Sequence, residues 1–254
     1  STPWHPLLAC ALFIVPGVPL INFVDDMLDN YIQVGIVRAV NTLLMVAAMA
    51  FGIAFAVKLC RIENFFPTIS MVPHHQYWEY AIAAAISAMG FSMIFNIQRR
   101  LLWVVAIGGI IAVCTRNFVN LGPSTDNIGL DMGLVIGSFS GAVLVSLIAI
   151  KAVHWFHVPN HVLTIPSVIP MIPGVLMYRM LFGIININVQ SIDQVTPLMK
   201  AIESGVNSGL VIMCIALGVA IPNIFGRRFI ASSKNKRLAE LLKERKARGK
   251  FVEW

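Results

Sequence analysis

The sequence predicts an all-α integral membrane protein with about seven transmembrane helices, two of which are broken at Pro-Gly motifs. Of its 254 residues, 57% are hydrophobic and 12% are charged, whereas soluble domains have about 25% charged residues. Several apolar windows reach the roughly 20 residues that a helix needs to cross a bilayer core. The seven candidate spans lie near residues 6–24, 33–58, 78–97, 101–120, 128–152, 161–186 and 197–225.

The positive charge is concentrated at the end of the chain. Ten of the nineteen Lys and Arg residues lie at or after Arg227. A basic cluster after a last span favours a cytoplasmic helix next to the membrane, with nucleic-acid binding as the alternative. With seven spans the N-terminus is then outside, and Arg99, Arg100 and Lys151 fall on the cytoplasmic side. This distribution predicts a multi-pass protein of the cytoplasmic (inner) membrane.

Two pairs of segments indicate an internal repeat. FIVPGVPLIN (13–22) aligns with PMIPGVLMYR (170–179), and NTLLMVAAMAFGIA (41–54) aligns with NSGLVIMCIALGVA (207–220). The second copy has five spans, and an odd number makes consecutive copies enter the membrane from opposite sides. The pattern therefore predicts part of an inverted five-plus-five helix repeat, as in many secondary transporters. Three spans of the first copy are expected to lie outside this chain.

The repeat divides the chain into four predicted regions. Residues 1–62 hold the last two helices of the first membrane repeat, and residues 63–77 form an extracytoplasmic linker. Residues 78–226 form the second five-helix repeat, and residues 227–254 form a basic cytoplasmic tail.

The segment PSVIPMIPGVLMYR (166–179) predicts a discontinuous helix. Each proline removes a helical hydrogen bond, at a cost of ~3 kcal/mol or more, and lipid cannot satisfy the freed carbonyls. Pro173 is expected to begin a second half-helix, because proline is favoured at the first helical position. With Pro170 and Gly174 it would place helix N–H groups and a positive dipole end at the midplane, where they form an anion site.

A matching break is predicted at Pro16, Gly17 and Pro19, which enter from the opposite membrane face. Two converging helix N-termini suit a substrate carboxylate, and the carbonyls released before each break suit an ammonium group or a cation. The residues of both breaks are therefore candidate substrate-binding residues. The alternative is that both breaks are kinks that only shape the helix bundle.

Polar residues that follow the breaks are further candidates for substrate binding. Tyr178 and Arg179 follow the second break, and Asn22 holds the matching place after the first. A buried Arg in a membrane usually has a partner or lines a pathway. Arg179 is expected either to pair with Glu203 or Asp131, or to extend to the outer interface.

Five polar residues are candidates for binding or for proton coupling. Asn41 and Asn207 are repeat-related, and they either bind substrate or tie helices together. Asp25 and Asp26 end the first span on the inner side and are candidate proton-coupling residues, with plain solvation as the alternative. Glu203 is a third candidate for proton coupling.

The sequence contains no HExxH, GxSxG or Walker-type phosphate-loop motif. His154, His157 and His161 straddle Pro159 without a nearby carboxylate, which disfavours a metal site. We therefore expect a protein that is not an enzyme and that needs no metal or other cofactor.

A stripe of glycines at every fourth residue predicts a close helix-packing face in the fifth span. The alternative is a backbone surface that lines a pathway. The stripe consists of Gly129, Gly133, Gly137 and Gly141.

The first part of the chain resembles a known family. LFIVPGVPLINFVDDMLDNYIQVGIVRAVNTLL is similar to the end of the first membrane domain of the threonine/serine exporter family, with its VPGxPLxN segment, acidic pair and Gly-x-x-Arg helix start. GFSMIFNIQRRLLW, IPSVIPMIPGVLMYRML and the final GVAIP are similar to the second, five-span domain of that family. That domain also occurs as a separate small subunit in some bacteria.

The resemblance implies export of threonine and serine driven by proton motive force, with small dicarboxylates such as succinate as another substrate class. It implies that the breaks, Asn22, Asp25 and Tyr178 lie on functional motifs. The family's soluble N-terminal domain and first three spans are not in this sequence, so we expect a partner with those parts or a homo-oligomer. A non-transporting membrane scaffold is the second hypothesis, and a channel is the third.

Overall fold

The computed structural model describes residues 17–59, 76–123, 128–156, 158–185 and 195–247. All regular secondary structure in these ranges is helical, in agreement with the predicted fold class. A 3₁₀ turn, Arg99–Leu101, precedes α4, and a second, Ile169–Met171, follows α6. The helices are α1 Gly17–Leu28, α2 Ile32–Leu59, α3 Tyr77–Ile94, α4 Leu102–Asn120, α5 Leu134–Phe156, α6 Asn160–Val168, α7 Gly174–Ile185 and α8 Val195–Ala247.

Four helical segments of the described chain are long and apolar enough to cross a membrane: Ile32–Met49, Arg99–Asn120, Leu134–Val153 and Leu198–Gly226. Each lies at one of the predicted windows. Helices α1 and α7 have 12 residues each and α6 has 9, so none of them crosses a bilayer alone. The structure is thus that of an α-helical membrane protein, and the count of seven spans stays a prediction.

The core lies where α3, α4, α5, α6 and α8 pack side by side. Small residues allow these backbones to approach closely, as expected for membrane helices. A Cβ atom at Gly109 would lie 2.7 Å from Cβ of Ala88, and one at Gly218 would lie 2.9 Å from the carbonyl oxygen of Phe139. Between α5 and α8, the Ser146 hydroxyl donates to the Val219 carbonyl at 2.9 Å.

The glycine stripe is a packing face over half its length. Gly137 and Gly141 lie on α5 against α4, where an added Cβ would approach the carbonyl oxygens of Arg116 and Ala112 to 2.6 Å. Gly129 and Gly133 precede the helix, which begins at Leu134. The prediction was wrong for these two because residues 128–133 pair instead with the end of α4, with Leu130 N–H donating to Phe118 O at 2.9 Å.

Helix α8 has 53 residues and runs without interruption to Ala247, which corresponds to about 80 Å. It therefore passes through residue 226, where the predicted membrane repeat ends and the basic tail begins. Near this point, the Asn160 amide at the start of α6 donates to Asn223 Oδ1 on α8. This contact joins the first broken half-helix to the last span.

Candidate functional site

The predicted interruption after Val168 is present. Helix α6 ends at that residue, the 3₁₀ turn Ile169–Met171 follows, and Ile172 is extended, with φ −64° and ψ 128°. Pro170 lies in the 3₁₀ turn and Pro166 lies inside α6. Helix α7 then begins at Gly174, one residue later than predicted, and the Pro173 carbonyl accepts its bond from Met177 N–H at 3.2 Å.

The first Pro-Gly motif starts a half-helix of the same kind. Helices α1 and α7 both begin at the glycine of a Pro-Gly-Val sequence, and each has 12 residues. Pro19 lies in the first turn of α1, where its missing N–H costs no helical bond. Pro16 lies outside the described residues. The two motifs therefore have the same local structure downstream of their glycines.

The two motifs are neighbours in the fold. A Cβ atom at the buried Gly17 would lie 2.6 Å from Cδ1 of Ile172, directly before α7. The end of the Ile172 side chain thus packs directly against the backbone of Gly17. The start of α1 and the break before α7 therefore form one junction, which we call the Pro-Gly junction.

The Pro-Gly junction offers hydrogen-bond donors with positive character. In α7 the helical bonds begin with Met177, so the N–H groups of Val175 and Leu176 have no helical acceptor. Helix α7 adds its positive dipole end at the same place. Such an arrangement can hold a carboxylate.

The polar residues beyond the breaks have different surroundings. Asn22 on α1 and Arg179 on α7 are half-buried, and Arg179 has an interaction partner. The backbone of Tyr178 lies in α7, but its side chain is outside the described part of the structure. Glu203 and Asp131, the predicted partners of Arg179, are both exposed.

The acidic pair at the end of α1 faces two basic side chains. Asp26 Oδ2 lies 2.6 Å from Arg38 Nη1 on α2, and Asp25 Oδ2 lies 4.0 Å from His161 Nε2 on α6. The two aspartate side chains are only 24% and 25% exposed. They are thus paired and partly buried, which differs from the plain solvation that was the alternative.

Arg38 and His161 were not among the predicted site residues. Arg38 had a sequence signal, because it ends the Gly-x-x-Arg segment that follows the acidic pair. His161 had none, since 136 residues separate it from Asp25, and only the folded chain brings the two side chains together.

Asn41 and Asn207 are exposed, and the structure does not bring them to the Pro-Gly junction. Their chain neighbours Thr42 and Ser208 are buried instead. Other residues of α2 and α8, among them Leu43 and Gly209, line an apolar groove of about 350 Å³ together with residues of α1 and α7. Helical periodicity places Asn41 and Asn207 away from that groove.

Family models identify the family to which the chain belongs. A family model described as Threonine/Serine exporter, ThrE, matches residues 80–225, more than half of the chain. The chain belongs to the threonine/serine exporter family. A second threonine/serine exporter model matches residues 2–60, and no solved structure matches the chain. The resemblance inferred from the motifs is confirmed.

Each half of the Pro-Gly junction lies in one of these matches. The 2–60 match contains the motif at Gly17, and the 80–225 match contains the motif at Gly174. Membership in the threonine/serine exporter family supports a role in amino-acid export across a membrane. The junction is therefore a contact between the two exporter domains of the chain.

Proposed function

We propose that the chain is a secondary transporter that exports threonine and serine across the cytoplasmic membrane, driven by proton motive force. The observation that carries this proposal is the contact of Gly17 with Ile172, which joins two helix starts in a member of an exporter family. A site with paired helix N-termini and released carbonyls suits a small molecule that has both charges.

In this proposal the substrate carboxylate binds the first-turn N–H groups of α1 and α7. The ammonium group binds carbonyl oxygens that the prolines release. Asn22 and Arg179, half-buried one to two turns beyond the junction, contribute polar contacts on either side. The proposed binding residues of this site are Pro16, Gly17, Pro19, Asn22, Pro170, Pro173, Gly174, Tyr178 and Arg179. Asn41 and Asn207, which lie away from the junction, stay proposed as substrate-binding residues elsewhere on the pathway.

Proton coupling is assigned to the acidic pair of α1. Asp25 faces His161 on α6 and Asp26 faces Arg38 on α2, so protonation of either carboxylate weakens a link between helices. A carboxylate with a cationic partner changes the energy of that contact when it titrates. Protons thereby act on two contacts of α1, one with α2 of the same repeat and one with α6 of the other repeat. Glu203 is the proposed acid on the outer side.

The proposed topology has seven spans, with the N-terminus outside and the C-terminus in the cytoplasm. Helices α1 and α7 each extend about 18 Å from the Pro-Gly junction, and in an inverted repeat they leave it toward opposite faces. Rocking of one repeat against the other then opens the junction alternately to each side.

The test is export of labelled threonine by cells that express Gly17→Leu. The added side chain occupies the place of the Ile172 side-chain end and fills the space between the two helix starts, so we expect at least a tenfold loss of export. Gly90→Leu is the matched control, because a Cβ at Gly90 meets nothing within 4 Å. Undiminished export by Gly17→Leu, at equal amounts in the membrane, contradicts the site.

The exposure of α2 favours a second candidate, a membrane subunit that assembles with a partner without transporting by itself. Only 17% of Ile32–Met49 is buried. A thermal shift measurement on the purified chain separates the two functions. Stabilisation by threonine or serine supports the transporter, and stabilisation by succinate alone supports a dicarboxylate exporter.

A further inference from the structure

A cavity of about 410 Å³ lies between α1, α6 and the turn that joins α3 to α4. Its size falls in the range of roughly 300–1,000 Å³ that is typical of small-molecule sites. Val18, in the first turn of α1, lines it on the side of the Pro-Gly junction. The other lining residues are Phe95, Asn96, Ile97, Gln98, Leu101, Val158, His161, Val162, Ile165 and Pro166.

Three polar side chains line this cavity: Asn96, Gln98 and His161. Gln98 Oε1 accepts a hydrogen bond from Arg100 Nε at 2.8 Å, so the amide NH₂ is the donor that Gln98 can offer a ligand. Asn96 has φ +54°, a conformation in which asparagine is favoured among residues with side chains. His161 lies 4.0 Å from Asp25 and has a ring N–H that can donate a hydrogen bond.

The α6 wall of the cavity supplies acceptors. Pro166 and Pro170 have no N–H, so the carbonyls of Val162 and Pro166, four residues earlier, lack their helical donors. Both Val162 and Pro166 line the cavity. Backbone oxygens without a helical partner at this depth suit an ammonium group.

The apolar groove between α2 and α8 differs from this cavity in its lining. It has a comparable volume of about 350 Å³, but Ser208 is the only residue with a polar side chain among those that line it. Desolvating a zwitterion there costs several kcal/mol. By contrast, the cavity beside α6 has side-chain donors on one wall and backbone acceptors on another.

We infer that this cavity is the loading site of the transporter, which admits a zwitterionic amino acid from the membrane face at which the α3–α4 turn lies. The carboxylate binds the amides of Asn96 and Gln98 with His161, and the ammonium binds the carbonyls of Val162 and Pro166. From there the substrate moves past Val18 to the Pro-Gly junction. The inference rests on the proposed function and adds a second, more peripheral site to it.

A matched pair of asparagine variants tests the loading site. Asn96→Gly removes the amide and keeps the backbone conformation, since glycine adopts positive φ freely. Asn30→Gly is the same change at φ +68° in the turn between α1 and α2, where the residue does not line the cavity. In membrane vesicles, we expect Asn96→Gly to raise the half-saturation concentration for threonine at least fivefold and Asn30→Gly to stay within twofold.

Cysteine labelling provides a readout that does not depend on transport. In a variant without native cysteines, Ile165→Cys lines the cavity, and Trp155→Cys lies at the end of α5 with 82% exposure. We expect a membrane-impermeant maleimide to label both from the α3–α4 side. Threonine is expected to slow labelling at Ile165→Cys at least threefold and to leave Trp155→Cys unchanged.

The outcomes separate this inference from the proposed function. If vesicles transport threonine but both asparagine variants behave alike and threonine does not protect Ile165→Cys, the loading site is wrong and the exporter proposal stands. Protection of Ile165→Cys without transport supports the site and contradicts export by this chain alone. If the vesicles do not transport threonine and threonine does not protect Ile165→Cys, both the exporter proposal and the loading site are wrong.

Discussion

Helices α2 and α8 have similar apolar sequences and different surroundings. The candidate spans Ile32–Met49 and Leu198–Gly226 have mean hydropathies of 1.7 and 2.1, but 17% of the first and 56% of the second is buried. Gly52 and Gly218, which align in the proposed repeat, show the same contrast. A Cβ at Gly218 meets Ala142 at 2.8 Å, whereas a Cβ at Gly52 meets nothing within 4 Å.

The difference teaches that burial in this protein depends on neighbours more than on the helix sequence itself. Helix α8 packs along α5, and the equivalent face of α2 has no such helix among the described residues. The inverted repeat predicts that the first copy has a helix in the place of α5. The face around Gly52 is where we propose that it packs.

The largest expected effect on stability comes from Gly218→Leu, and the aligned Gly52 provides the control position. Gly218→Leu forces α8 away from the Phe139 carbonyl of α5, so we expect a loss of about 3 kcal/mol of stability and a clearly lower melting temperature in detergent. Gly52→Leu is the control and should melt within a degree or two of the parent chain. Equal losses at both positions would mean that α2 is covered in the same way as α8.

A smaller effect is expected at the polar link between α5 and α8. Ser146→Ala removes the hydrogen bond to the Val219 carbonyl, at a cost of about 1 kcal/mol. Ser140→Ala on the same helix removes only a bond to its own helix, at Ile136 O, and should cost less. A melting temperature lowered more by Ser140→Ala than by Ser146→Ala contradicts this account of the interface.

The Arg38–Asp26 ion pair between α2 and α1 is expected to contribute less to stability than the Ser146 hydrogen bond. Arg38 is 39% exposed and Asp26 is 24% exposed, so the pair is screened and should contribute below about 1 kcal/mol. A double-mutant cycle of Arg38→Gln and Asp26→Asn measures it. A coupling energy above that of the α5–α8 link would show that α2 is held mainly by charge.

The smallest expected effect on stability is at the repeat-related asparagines. Asn41→Leu and Asn207→Leu replace exposed side chains, and such surface changes usually stay within about 0.5 kcal/mol. Transport is the informative measurement for this pair. If either variant lowers threonine export at unchanged stability, the residue belongs to the substrate pathway, as the sequence pattern suggested.

Much of the fold could be predicted because it depends on local chemistry. The break after Val168 follows from prolines that cannot donate a helical bond, and the start of α7 differs from the prediction by one residue. The glycine stripe was predicted too long, because Gly129 and Gly133 lie in a segment that pairs with the end of α4. Periodicity alone does not show where a helix begins.

The candidate site was harder to predict because its members are distant in sequence. Asp25 and Asp26 were found from their place in the acidic motif, but the proximity of His161 depends on how the folded chain places the end of α1 beside the start of α6. Asn41 and Asn207 were selected for their aligned positions, and yet both are exposed. An alignment within the chain identifies equivalent residues and does not say which face of a helix is covered.

By itself, the sequence determined that this is an α-helical membrane protein with two Pro-Gly half-helices, because hydropathy and missing N–H groups act within a few residues. Only the tertiary structure decided that the half-helices meet at Gly17 and Ile172, and that polar groups surround a cavity beside α6. These features depend on close contacts between segments about 150 residues apart. No local pattern specifies such contacts, since they arise from how small residues let backbones approach.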